Sequence, residues 1–173
     1  FFLNQILLYL NTIRYLKPQQ IYMRLWFKLI RPKIEVTRSL PLRKILGKWS
    51  LPISKQVCLK DETTFYFLNL KGSLANHGWD DPKVNKLWRY NQHYFNDLNA
   101  IDSKKRKSWH VKLLKLWIKE NAPTTGSGWE PYPTSLRIVN WIKWQFSENL
   151  LDEECLKSLS IQTRWLYKRI EWH

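Results

Sequence analysis

Apolar positions recur along this chain mainly at helical spacing. Residues 3–16 carry one such run, which Pro18 ends or breaks. Gln19–Ile30 reads as a second, amphipathic helix. Its apolar stripe is Ile21, Leu25, Trp26 and Leu29, with Arg24, Lys28 and Arg31 beside it. That basic stripe suits an anion or a membrane surface, or it is simply a solvated face. Residues 31–60 lose the period and hold Pro32, Pro41, Gly47 and Pro52, so they read as a long connector. Val57–Leu59 and Thr64–Leu70 are β-like, with Asp61-Glu62 as the turn of a short hairpin. From residue 84 the helical period takes over. Lys86–Leu98 presents Leu87, Tyr90, Tyr94 and Leu98 on one face. Ser103–Asn121 presents Trp109, Leu113, Leu116 and Trp117, with Ser103 as candidate N-cap. Residues 121–133 hold three prolines and two glycines and read as a loop. A helix capped by Thr134 or Ser135 then runs to Phe146. A last one starts near Asp152, with a stripe of Leu156, Leu159, Thr163, Leu166 and Ile170, and acidic residues suited to its N-terminal dipole.

These elements divide the chain into a basic segment, 1–83, and a helical region, 84–173. The fold class expected is mainly α: antiparallel helices, with a short β-hairpin in the N-terminal half. Composition adds the partner class. Lys and Arg outnumber Asp and Glu by 29 to 14, a net charge of +15. Residues 1–60 carry twelve of the bases and one acid, Glu35. Such a surplus points to an anionic partner: nucleic acid, acidic lipid or acidic polysaccharide. Eleven tryptophans set the chain apart from small basic nucleic-acid binders, and none of the usual nucleic-acid motifs is present. Cys58 and Cys155 read as free thiols, the four histidines lack metal-site spacing, and no apolar run is long enough to span a bilayer. No metal, cofactor or transmembrane segment is therefore expected.

Two segments concentrate candidate chemistry. One is Leu87-Trp88-Arg89-Tyr90-Asn91-Gln92-His93-Tyr94-Phe95; the other runs from Gly128 to Trp141. Both set indole and phenol rings among Arg, Asn, His and Glu, the mixture that stacks on sugar rings and bonds their hydroxyls and carboxylates. Arg137, Asn140, Trp141 and Trp144 fall on one helix face. Arg137 beside Asn140 could hold a planar carboxylate, or Arg137 could pair with Glu130 and only pin the loop. His93 reads either as a site residue or as a packed histidine. The expected cleft is Trp129, Glu130, Tyr132, Arg137, Asn140 and Trp141, with Tyr90, Asn91, His93 and Tyr94 close by. The run Lys104-Lys105-Arg106-Lys107 reads as a solvated helix start.

At these two segments the chain resembles the N-terminal helical domain of heparinase II/III-type polysaccharide lyases. LWRYNQHYFNDL and GWEPYPTSLRIVNWIKW carry the likeness, and the opening TIRYLKPQQIYMRLW resembles bacterial members. The resemblance implies an incomplete α/α toroid followed by a β-sandwich, and cleavage of uronic-acid-containing polysaccharides such as glycosaminoglycans by β-elimination. The family's Asn-His pair would follow an element here matched by Glu171-Trp172-His173, and no Asn-His dipeptide occurs in the chain. Both ends read as cuts through a longer protein. No catalytic residue is assigned, and the chain alone is expected to be inactive. The expected partners are an acidic polysaccharide and the rest of the toroid and sandwich. The rival expectation is a non-catalytic acidic-glycan-binding or cell-envelope assembly module. Localisation is left open, with a periplasmic or secreted setting favoured.

Overall fold

The computed structural model describes residues 2–30, 34–36, 47–50, 52–147 and 151–169. It is mainly helical, with one small antiparallel sheet. Helix α1 is Phe2–Arg14 and α2 is Pro18–Leu29. Pro18 opens α2 at its first turn, where its missing N–H removes no helical bond. Lys17 N–H donates to Gln20 Oε1 (3.0 Å) and closes the entry. Neither helix contributes a residue to the buried core among the described residues, and Leu8, Tyr9, Tyr15, Leu25 and Leu29 face solvent. Of the stripe expected on α2, Leu25, Trp26 and Leu29 are thus exposed and Ile21 is half-buried. The basic stripe at Arg24, Lys28 and Arg31, and residues 31–33, 37–46 and 51 of the connector, lie outside the described residues and side chains.

The sheet pairs β1 (Thr64–Phe67) with β2 (Leu70–Ser73), in register Thr64 to Ser73 and Phe67 to Leu70. Its turn is Leu68-Asn69, both at positive φ (53° and 62°), as a two-residue hairpin turn with the right twist demands. The expected strand through Leu70 therefore folds back on itself two residues earlier. Asp61 does make a turn, its Oδ1 accepting the N–H groups of Thr63 (2.9 Å) and Thr64 (2.8 Å). That turn yields only an isolated bridge, Leu59 to Phe65.

Helix α3 is the single turn Leu74–His77, and α4 is Lys86–Tyr94, capped by Asn85. Helix α4 stops at Phe95 (φ 58°), and a 3-10 turn, Asn96–Asn99, follows, so the helix expected to reach Leu98 is shorter. A second 3-10 turn, Ser103–Arg106, precedes α5 (Lys107–Glu120); Ser103 does not cap it. Helix α6 is Pro131–Phe146, with Glu130 at the N-cap and Pro131 at N1, so its cap lies four residues ahead of Thr134, the earlier of the two expected caps. Helix α7 is Glu153–Lys168, and Asp152 Oδ1 accepts the Cys155 N–H (3.0 Å).

Contacts give the helix directions. Tyr90 meets Glu130 at the start of α6, and Asn140 Nδ2 donates to the Tyr94 carbonyl (2.7 Å) further along, so α4 and α6 run the same way. His110 faces Trp144 and Trp117 faces Trp141, so α5 is antiparallel to α6. Trp165 Nε1 donates to the Trp129 carbonyl (2.7 Å) and Arg137 bonds Gln162, so α7 is antiparallel to α6 as well. The buried face of α7 is Cys155, Ser158, Ile161, Gln162 and Trp165, rotated from the stripe expected from the sequence, while Thr163 is exposed. One core joins Leu59, Phe65, Phe67 and Trp79 to Trp88, Trp117, Trp129, Trp141, Trp144 and Trp165, and so crosses the boundary expected at position 84.

Candidate functional site

The face of α6 that carries Arg137, Asn140, Trp141 and Trp144 is the buried one. Arg137 is 0 % exposed. Its Nε donates to Gln162 Oε1 (2.9 Å), and Nη1 donates to the carbonyls of Gly128 (2.8 Å) and His93 (3.4 Å). Nη2 reaches Thr134 Oγ1 (3.4 Å). The guanidinium carbon lies 3.9 Å from the Trp117 ring centre and 5.8 Å from that of Trp129. Burial pushes its pKa well below the usual guanidinium range. Amide and carbonyl dipoles and two indole faces replace its water shell. The expected carboxylate clamp is thus corrected: Arg137 braces the interior. Its partner is not Glu130 either, because that residue turns outward.

His93 is placed with it. Trp117 Nε1–H donates to His93 Nδ1 (3.0 Å), and the ring stacks on Trp79 at 5.6 Å. Burial, then the Arg137 charge, pushes its pKa down to about 3. His93 is a neutral packed imidazole, and a Cβ on Gly128 would stand 2.6 Å from its Nδ1. Trp129 and Trp141 are core residues. Asn140 is buried, bonding Tyr94 O, Asn96 Oδ1 (3.0 Å) and Asn99 Nδ2 (3.3 Å). Half of the expected cleft is therefore its supporting wall.

The other half reaches the surface over the start of α6. Tyr132 is 59 % exposed, and its ring stands 5.8 Å from Tyr94 and 6.4 Å from Tyr90. Tyr90 Oη donates to Glu130 Oε2, and Lys86 Nζ donates to the same oxygen (3.1 Å) while lying 5.1 Å from the Tyr90 ring centre. Asn91 turns back along its helix to donate to the Leu87 carbonyl (2.8 Å). Tyr94 is 5 % exposed, and its hydroxyl has no hydrogen-bond partner among the described residues. Burial first, then Tyr132 and Tyr90, pushes its pKa up to about 12. At neutral pH it is a phenol and a hydrogen-bond donor, not a base.

Three features beside this face were invisible in the sequence. Lys55 donates to Asn96 Oδ1 (2.5 Å) and Asn140 Oδ1 (3.3 Å). Its backbone is pinned by a parallel bridge to Ala100. Only the loss of period around it hints that the connector folds over something. Asp97 is a buried node. Its Oδ1 accepts the N–H groups of Cys58 (2.8 Å) and Leu59 (3.0 Å), and Oδ2 meets Arg106 Nε and His110 Nε2 (both 2.8 Å). Burial works against its ionisation, but the bonds from His110, Leu59, Arg106 and Cys58 win and hold its pKa at about 2. Arg106 is thus drawn inward from the run expected to be solvated, while Lys104, Lys105 and Lys107 are exposed. The third feature is a groove of about 330 Å³ lined by Ser54, Asn99, Ser103, Lys104, Lys105 and Ser147 among others.

Both cysteines are free, and burial pushes each thiol up to about 12, so neither is a nucleophile at neutral pH. No group of three or more potential metal ligands occurs among the described residues, and no described helix is long and apolar enough to cross a membrane. No protein-family model, curated protein or solved structure matches the chain.

Proposed function

We propose that this chain is the glycan-holding helical part of a polysaccharide lyase that acts on uronic-acid polymers by β-elimination. The observation that carries the reading is the tyrosine face over the start of α6: an exposed ring at Tyr132, Tyr90 and Tyr94 beside it, and a buried hydroxyl with no partner among the described residues. A phenol ring offers a stacking surface for the C–H face of a pyranose, and an unpartnered buried hydroxyl is stabilised by an oxygen of the ligand. The net charge of +15 favours an acidic polymer. The resemblance of the two aromatic motifs to heparinase II/III-type lyases points the same way. In that reading α4 and α6, which run together, begin one layer of an α/α toroid, and α5 and α7, which run opposite, begin the other.

β-Elimination needs a base at C5 of the uronate, neutralisation of its carboxylate and a proton for the departing O4. Among the described residues of this face, neither His93, which is enclosed, nor Tyr94, which keeps its proton, serves as the base at C5. In this reading the tyrosine face holds the polymer. The same observation supports the second reading, a non-catalytic module that binds acidic glycans.

Immobilised heparin, alginate and hyaluronan, with neutral dextran as control, test the proposal. The chain should bind at least one acidic polymer, with affinity falling as salt rises, and Tyr132→Ala should weaken binding about tenfold, the scale of one stacking contact. Incubation with the same polymers should give no ultraviolet-absorbing unsaturated product. Equal binding to dextran, or binding unaffected by Tyr132→Ala, would remove the glycan reading.

A further inference from the structure

The cation of the expected clamp, Arg137, is enclosed and each of its nitrogens is bonded inside the core, so an acidic ligand on this face needs another partner. Among the described residues, Lys55 meets that need. It is half-buried, and it forms no ion pair with a described carboxylate. Its two protein contacts are the amide oxygens of Asn96 and Asn140, which leaves one of its three N–H donors for a ligand. Lys143, also half-buried, stands one turn beyond Asn140 on α6, and its like charge acts on Lys55. Those amides are themselves fixed: Asn140 Nδ2 is spent on the Tyr94 carbonyl and Asn96 Oδ1, and Asn99 Nδ2 donates to Asn140 Oδ1. The seat is therefore rigid before any ligand arrives.

We propose that Lys55 and Lys143, framed by Asn96 and Asn140, form an anion seat that takes the carboxylate or sulfate of an acidic sugar. A seated anion relieves the repulsion between the two ammonium groups and fills the third donor of Lys55, both of which favour the bound state. Burial and Lys143 together push the pKa of Lys55 down, and an anion would restore it. As to its biological ligand the seat rests on the glycan reading above; its chemistry does not.

The test uses the whole chain with sodium glucuronate, glucose 6-sulfate and glucose as probes. The readout is the side-chain amide signals of Asn96 and Asn140 in ¹H–¹⁵N spectra. Either anion should shift both signals in a saturable way, and glucose should not; the stronger of the two anions tells carboxylate from sulfate. Lys55→Gln should weaken anion binding at least tenfold, Lys143→Gln severalfold, and Lys119→Gln, at an exposed position of α5, not at all. Should Lys55→Gln fail to fold, Lys143→Gln carries the decision, since no described hydrogen bond of the cluster depends on that side chain. Signals unmoved by both anions, or binding unchanged in the variant that folds, would overturn the seat. Acidic polymers held at full strength by Lys55→Gln would end the seat and leave the glycan reading standing. Anions seated at Lys55 with no polymer bound would do the reverse.

Discussion

A guanidinium that is shut away from water without a carboxylate is stable only if each of its nitrogens finds a dipole. Arg137 meets that condition through Gln162, Gly128, His93 and Thr134, and its flat faces lie against Trp117 and Trp129. Lysine cannot copy this, because an ammonium is neither planar nor forked and is more strongly hydrated. Arg137→Lys should therefore destabilise the fold by about 3 kcal/mol, the scale of breaking a buried charged network. Urea unfolding measures this directly, and a change below about 1 kcal/mol would mean that the site is wetter than described. The same residue marks how much of the site is legible in the sequence. That Arg137, Asn140 and Trp141 share a face follows from helical spacing. That the face is inward does not, because periodicity ranks apolar residues, and Arg and Asn count against burial. Partners distant in the chain, Gln162 and His93 for Arg137 and Tyr94, Asn96 and Asn99 for Asn140, help make burial of these two polar groups favourable.

At the level of elements, the long helices are legible because their apolar periods are strong, while their ends are set by chemistry that the period ignores. Phe95 in the left-handed region cuts α4 short, and Pro131 at N1 starts α6 before the threonine and serine expected to cap it. Thr134 Oγ1 instead donates to the Gly128 carbonyl (3.2 Å), inside the helix. The hairpin turn lies away from its expected place because Asp61-Glu62 has better turn residues than Leu68-Asn69, yet the register that buries Phe65 and Phe67 requires the second. The start of α7 is legible in its acidic cluster. There Asp152 accepts the Cys155 N–H and its second oxygen meets Lys115 Nζ at 3.1 Å. Asp152→Ala should cost about 1 kcal/mol, most of it from the lost cap, since the exposed ion pair is worth little. Thermal unfolding should register this as a drop in Tm, and Asp152→Asn, which keeps the capping oxygen, should recover most of it.

For the whole molecule, two buried groups set an acid limit. His93 stays neutral in the fold down to about pH 3, whereas in the unfolded chain it takes a proton below about 6.5. Stability is therefore full above 6.5 and declines as pH falls from there towards 3, by up to about 1.4 kcal/mol per pH unit for this one group. Asp97 adds a second loss, beginning near pH 4, where the unfolded carboxylate protonates, and complete near 2. Denaturant midpoints measured from pH 8 to 4 should fall steadily below 6.5. His93→Asn, whose side-chain oxygen can still accept the Trp117 N–H, should flatten that decline while lowering stability at pH 8.

The enclosure of Arg137 also orders events in time. Its partners belong to three separate stretches, at His93, Gly128 and Gln162, and the last of these emerges from a ribosome well after α6 itself. Without Gln162 the Nε donor has no partner among the described residues, so enclosing the guanidinium is favourable only when α7 is docked against the rest. The least hydrophobic group in the core therefore acts as a latch that ties the last helix to the loops before it.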